Sequence, residues 1–164
     1  MTKKRNILCI VAHPDDEALG IGGTLIKHSS SKDKVYIIIL SEGEDSKYKG
    51  KNSNRKKNAE QWANFTNCKL YKTFNFPDQQ LDKIPMLQIV QALELAIKKI
   101  KPHIIYTHHP GDINLDHQIT AHATLTASRP ISQHNIKSEI RAFETPSSTD
   151  QAPYIEPFIF KPNL

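Results

Sequence analysis

The 164 residues carry 22 lysines and arginines against 17 acids, a formal charge of +5, and 38% of them are hydrophobic. That length suits one domain, 1–164, with its own core. No stretch nears the ~20 apolar residues of a membrane span, and the apolar run after Lys3, Lys4 and Arg5 meets charge too soon for a signal peptide. Cys9 and Cys68 make no disulfide framework and no CxxC pair, so both read as reduced core residues of a cytoplasmic protein.

A first strand is expected at Ile7 to Ala12, and it runs straight into His13, Pro14, Asp15, Asp16 and Glu17. An imidazole and three carboxylates cannot continue a core element, because buried charge without a partner is expensive. Closely spaced acids repel unless a cation lies between them, and imidazole and carboxylate are both zinc ligands, so a divalent metal ion is expected here. A helix follows over Asp16 to Ser29, with acids at the start where its dipole favours them.

Val35 to Leu40 is a continuous aliphatic run, the pattern of a strand covered on both faces. A polar loop, Glu42 to Asn54, leads to a helix over Arg55 to Phe65 with Trp62 on its buried side. Six cations, Lys47, Lys49, Lys51, Arg55, Lys56 and Lys57, crowd that stretch with no acid among them. They form a solvated face or a lip for an anionic substrate such as a sugar phosphate. Only Tyr48 interleaves them as an aromatic and no recognised motif accompanies them, so no nucleic-acid partner is expected.

Lys69 to Phe76 alternates as a third strand. Asp82 is expected to cap the next helix, with Pro85 in its first turn and Met86, Ile89, Val90, Leu93, Ala96, Ile97 and Ile100 along its buried stripe. His103 to Thr107 reads as a fourth strand and Asp116 to Ser128 as a helix. One more strand is expected at Ile140 to Glu144, within a proline-punctuated tail whose final apolar run, Phe158 to Phe160, suggests a shortened domain. His28, His103, His122 and His134 read as ordinary helix, strand or loop residues.

Strands alternating with helices at these lengths imply an α/β fold, Rossmann-like, with a parallel sheet of order 3-2-1-4 and helices on both faces. The first and fourth strands are then neighbours, about 4.8 Å apart. Their loops would bring His13, Asp15 and Asp16 beside His108, His109, Asp112, Asn114, Asp116 and His117 at the switch point. Gly20, Gly22 and Gly23 come too late for a dinucleotide turn, and Asp15 and Asp16 in that turn would repel a pyrophosphate.

Ala12-His13-Pro14-Asp15-Asp16-Glu17 with Asn114-Leu115-Asp116-His117 resembles the PIG-L/LmbE family of zinc-dependent N-deacetylases, as do Ser41 to Glu44, Arg55, Phe143-Glu144 and Ser147 to Thr149. The resemblance implies that His13, Asp16 and His117 bind Zn²⁺, that Asp15 is the general base, and that Asp116 orients His117 or another site group. It implies removal of an N-acetyl group from an N-acetylglucosamine-type sugar conjugate, nucleotide- or lipid-linked, and leaves assembly into a homo-oligomer open.

Three departures stand out. Asn114 replaces the His that in many members helps hold the oxyanion, and Asn cannot carry a proton there. Asn58 replaces a Glu three residues after Arg55, which weakens the substrate contact assigned to Arg55. Members also continue past a segment like Phe160 to Asn163. A metal-binding protein without catalysis, or a truncated inactive homologue, is the rival reading.

Overall fold

The computed structural model describes residues 4–41, 43, 54–130 and 137–163. Glu42, Glu44, Lys47, Lys49, Lys51 and His134 lie outside the described residues, so the basic lip is represented only by Arg55, Lys56 and Lys57. The described strands are β1 (Asn6–Val11), β2 (Lys34–Ser41), β3 (Lys69–Phe76), β4 (Ile104–His108) and β5 (Glu139–Phe143). All neighbours pair parallel, in the order β3-β2-β1-β4-β5, so the expected 3-2-1-4 winding is extended by one strand beyond β4.

Alternation along the strands builds two cores. Ile7, Cys9, Val11, Val35, Ile37 and Ile39 face one side, where Leu25 of α2 (Gly22–Ser30) and Ala59 and Ala63 of α3 (Arg55–Phe65) cover them. Leu8, Ile10, Ile38, Leu40 and Ile105 face the other, under α4 (Met86–Ile100) and α5 (Leu115–Ala127). Burying each such aliphatic side chain is worth roughly 1.5–3 kcal/mol, so β1 and β2, buried on both faces, anchor the sheet. Both cysteines are free and buried, as expected. Among the described residues no helix is long and apolar enough to cross a membrane.

Two local expectations need correction. The helix expected over Asp16 to Ser29 breaks into α1 (Asp16–Leu19) and α2. Gly20 passes so close to the Phe143 ring that a Cβ there would lie 2.6 Å from Cε2, and Ile21 turns inward to 6% exposure. Packing against β5 therefore overrides helix continuity. Asp82 is not the cap of α4: it sits in a 3₁₀ turn, Leu81–Lys83, and Pro85 takes the cap position. Leu81 is fully buried and its N–H donates to Asp116 Oδ1 at 3.0 Å, so this turn is tied to the functional end of the sheet. At its far end α4 stops at Lys101, in the left-handed region at φ 51°, just before Pro102.

Candidate metal centre

The carboxyl ends of β1 and β4 deliver the polar residues. His13 follows β1, Asp16 opens α1, and His117 lies in the first turn of α5, which Asn114 caps by accepting the Asp116 N–H at 2.9 Å. All three side chains are nearly sealed from solvent.

His13 Nδ1, Asp16 Oδ2 and His117 Nε2 form a triangle with edges of 3.3, 3.4 and 3.3 Å. Tetrahedral bonds of about 2.0–2.1 Å to one ion would set ligand atoms ~3.3–3.4 Å apart. These atoms therefore already have the spacing of three corners around a small divalent ion. They are also a group of metal-ligating type among the described residues whose ligand atoms lie within 4.8 Å of one another.

The nitrogens turned away from the triangle face acids. Asp116 Oδ2 lies 3.2 Å from His13 Nε2, and Asp112 Oδ2 lies 3.2 Å from His117 Nδ1. A carboxylate behind a ligating imidazole fixes its tautomer and makes the other nitrogen a better donor. Asp116 thus faces His13, and the acid behind His117 is Asp112. Asp112 is itself fixed by the hydroxyls of Ser148 and Thr149, the latter at 2.6 Å.

His108 is fully buried and stacks on His117, with centroids 3.9 Å apart and planes 8° from parallel. Its Nε2 accepts the Ala12 N–H at 3.0 Å and its Nδ1 faces Thr145 Oγ1 at 3.1 Å. The Nε2 lone pair is already used, so His108 buttresses the site rather than completing it. His109 instead points toward Phe160.

Electrostatics follow from this crowding. Burial opposes charge on His13, yet Asp116, Asp16 and Asp78 around it win and raise its pKa to about 10. His117 is raised in the same way, with burial opposed by Asp112 and Asp16. Burial would lift Asp16, but the rings of His108, His117 and His13 hold its carboxyl well below the usual range. Burial and the Asp16 charge raise Asp15. Protons on His13 and His117 stand where a cation would sit, so the donor set suits a divalent metal.

Asp15 diverges from its neighbour: its side chain is 46% exposed, and its Oδ2 lies 4.0 Å from Arg55 Nη1. Arg55 stands at the start of α3, alongside Gly43 and Pro14. Asn58, one turn on, is exposed.

Sequence reasoning missed the loop after β3. Asp78 Oδ1 lies 3.5 Å from His13 Nε2 and Gln79 Nε2 lies 3.1 Å from the same atom. An acid directly after a strand, Phe76-Pro77-Asp78, was a usable signal, but β3 is two strands from β1 and no adjacency rule pointed to it.

An α/β sheet with a His/Asp/His triangle and a half-exposed carboxylate over the ends of two central strands makes a candidate metal centre at the topological switch point. The chain belongs to the PIG-L deacetylase family: the family profile, described as GlcNAc-PI de-N-acetylase, matches residues 8–128. A relative, the uncharacterized deacetylase YaiS of Escherichia coli K12, is 28% identical over 153 residues, covering 89% of this chain and 77% of its own.

Among solved structures, the N,N'-diacetylchitobiose deacetylase of Pyrococcus horikoshii superposes with a TM-score of 0.75 at 20% identity, over 86% of this chain and 61% of that one. The 4-carboxy-2-hydroxymuconate hydratase GalB of Pseudomonas putida KT2440 has a TM-score of 0.68 at 20% identity, over 85% of this chain and 65% of its own. This chain thus spans less than two thirds of either solved relative, and the shared fold carries more than one reaction.

Proposed function

We propose that this chain is a zinc-dependent N-deacetylase that hydrolyses the acetamide of an N-acetylglucosamine-type sugar conjugate, with His13, Asp16 and His117 as the metal ligands and Asp15 as the general base. The observation that carries the reading is the 3.3–3.4 Å ligand triangle beside a half-exposed carboxylate. Two imidazoles and one carboxylate are a zinc set that leaves a position for water and substrate. When bound, zinc polarises the amide carbonyl and acidifies a water.

The residues divide the remaining work. Asp116 and Asp112 keep the two imidazoles turned toward the ion. Asp15, raised by burial and by Asp16, accepts the water proton at its carboxylate and returns it to the departing sugar nitrogen, so acetate and a free amine result. Asn114 has its side-chain oxygen committed to the α5 cap, which leaves only its amide N–H₂ to face substrate. Arg55, beside Asp15, suits a hydroxyl or a phosphate on the sugar. The names of the chitobiose deacetylase and of the family profile support an N-acetylated amino sugar as the substrate class. Two free, buried thiols accord with a cytoplasmic setting.

The test is acetate release from N-acetyl sugars offered free, nucleotide-linked and lipid-linked, with metal content measured on the same preparation. Asp15→Asn is expected to keep its zinc and lose 10²–10⁴-fold in turnover, the usual reach of a general base. Wild-type protein that holds zinc but releases acetate from none of these would establish the non-catalytic rival.

A further inference from the structure

The His13-to-Glu17 turn holds a third acid besides Asp15 and Asp16. Glu17 is 1% exposed, yet it neither joins the ligand triangle nor faces the cleft. Its Oε2 accepts the backbone N–H of Asp15 at 3.1 Å. A buried carboxylate held by backbone amides is a costly thing to place at the start of a helix, where an apolar side chain would pack with no desolvation penalty.

The amide it holds belongs to the residue with the largest positive φ among the described residues. Asp15 has φ 145° and ψ −26°. Lys32, Asn67, Gln79, Lys101 and Ser147 also have positive φ, but at 51–66° they sit in the ordinary left-handed basin. Asp15 lies far outside it, in territory that a side chain disfavours.

That turn separates two adjacent acids. Asp16 goes inward, its side chain 6% exposed, to the ligand triangle, while the Asp15 side chain goes outward, 46% exposed, beside Arg55. A relaxed turn at Asp15 would reorient its Cα–Cβ bond and with it the carboxylate.

We propose that Glu17 is a positioning residue: by accepting the Asp15 N–H it locks the strained turn that aims the Asp15 carboxylate at the cleft while Asp16 faces the metal. This rests on Asp15 being the general base. The lock needs an acceptor at one place and does not need charge. Glutamine keeps the acceptor at full reach, whereas aspartate keeps the charge and draws the acceptor back by one methylene. The two variants therefore separate a positional role from an electrostatic one, and each changes the buried volume little.

The experiment uses full-length zinc-loaded protein with N-acetylglucosamine and N,N'-diacetylchitobiose as probes, alongside hydrogen exchange at the Asp15 amide by ¹⁵N NMR. Glu17→Gln is expected to rescue kcat to within threefold of wild type and to keep slow Asp15 exchange. Glu17→Asp is expected to lose at least tenfold in kcat with KM and zinc content unchanged, and to speed Asp15 exchange at least tenfold. Wild-type kcat and slow exchange in Glu17→Asp would overturn the proposal, as would equal losses in both variants or a fall in zinc content that tracks kcat.

A fully active Asp15→Asn would instead overturn the base assignment and leave the exchange result standing. If wild-type protein turns over neither probe, the exchange rates decide alone: fast exchange only in Glu17→Asp supports the lock, and equal rates in all three overturn it.

Discussion

The strain at Asp15 can be weighed by removing it. A non-glycine residue held so far from the allowed regions costs on the order of 1–3 kcal/mol, and glycine, which tolerates positive φ better than any other residue, gives back roughly 0.5–1 kcal/mol through its floppier unfolded chain. Asp15→Gly should therefore be more stable than Asp15→Ala by about 0.5–2 kcal/mol. For a chain of this size about 2–4 °C of Tm accompanies each kcal/mol, so the gap should be about 1–8 °C. The alanine variant is the right reference because both lose the carboxylate, its repulsion from Asp16 and its half-exposed contact with Arg55, which at 4.0 Å contributes little. The measurement is thermal unfolding of both proteins with metal chelated, followed by acetate release after zinc is restored. Both variants should be inactive, so the gain in stability comes at the expense of chemistry. Equal or lower Tm for Asp15→Gly would refute the claim that the backbone at this position stores strain.

Zinc affinity should rise with pH: His13 is raised to about 10 with burial opposed by Asp116 and Asp16, so below that pH a proton must leave before the ion binds. Competition against a chelator should show at least a tenfold gain between pH 6 and 8, and a flat profile would contradict the charge balance described. At the opposite end of the sheet, burial opposes the Asp33 charge, but hydrogen bonds from Arg5 and His28 lower its pKa to about 2. The lowered value means stabilisation that is present above the ordinary carboxyl range and lost as pH falls through about 2. Asp33→Asn should then cost about 1 kcal/mol by urea unfolding at pH 7, discounted for partial exposure, with the two proteins converging in strong acid. Asn114→Ala should cost about 1 kcal/mol by removing the α5 cap, and Asn114→Asp should recover it. Asn114→His should add an ionisation to the pH–rate profile that the natural chain lacks.

Much of the fold was legible because the aliphatic runs are short, dense and separated by charged turns. Val35 to Leu40 could only be a strand buried on both faces, and the stripe from Ile89 to Ile100 has one period. Strand order, and with it the meeting of the His13 and His117 segments, followed from winding rules alone. The misreadings have a common cause. One helix through Gly20 already runs against glycine's poor helix propensity, and close approach to Phe143 breaks it there; Asp82 has the chemistry of a cap, but Leu81 is committed to Asp116. Contacts between residues far apart in sequence decided both. Asp112 was visible as part of a polar cluster, yet its place behind His117 depends on Ser148 and Thr149, which reach it across β5. Asp78 lies behind His13 because the loop after β3 folds over β1, a path that spacing does not encode.

The placement of the acids makes this end of the sheet a place suited to a cation. Asp16, Asp78, Asp112 and Asp116 converge on two imidazoles, all of them buried. Without a cation the chain must keep extra protons on His13 and His117 to hold that many carboxylates together, and raising pH removes those protons while the acids remain. A divalent ion would replace them with two charges at one point and take up one nitrogen from each ring. Binding of such an ion would be coupled to folding: an ion that binds only the folded chain adds RT ln(1 + [metal]/Kd) to stability, roughly 4 kcal/mol at a thousandfold excess over Kd. Asp15 is the acid left out of this balance, turned aside by one strained peptide toward Arg55, and under the proposed reaction it is the carboxylate that would exchange a proton with water.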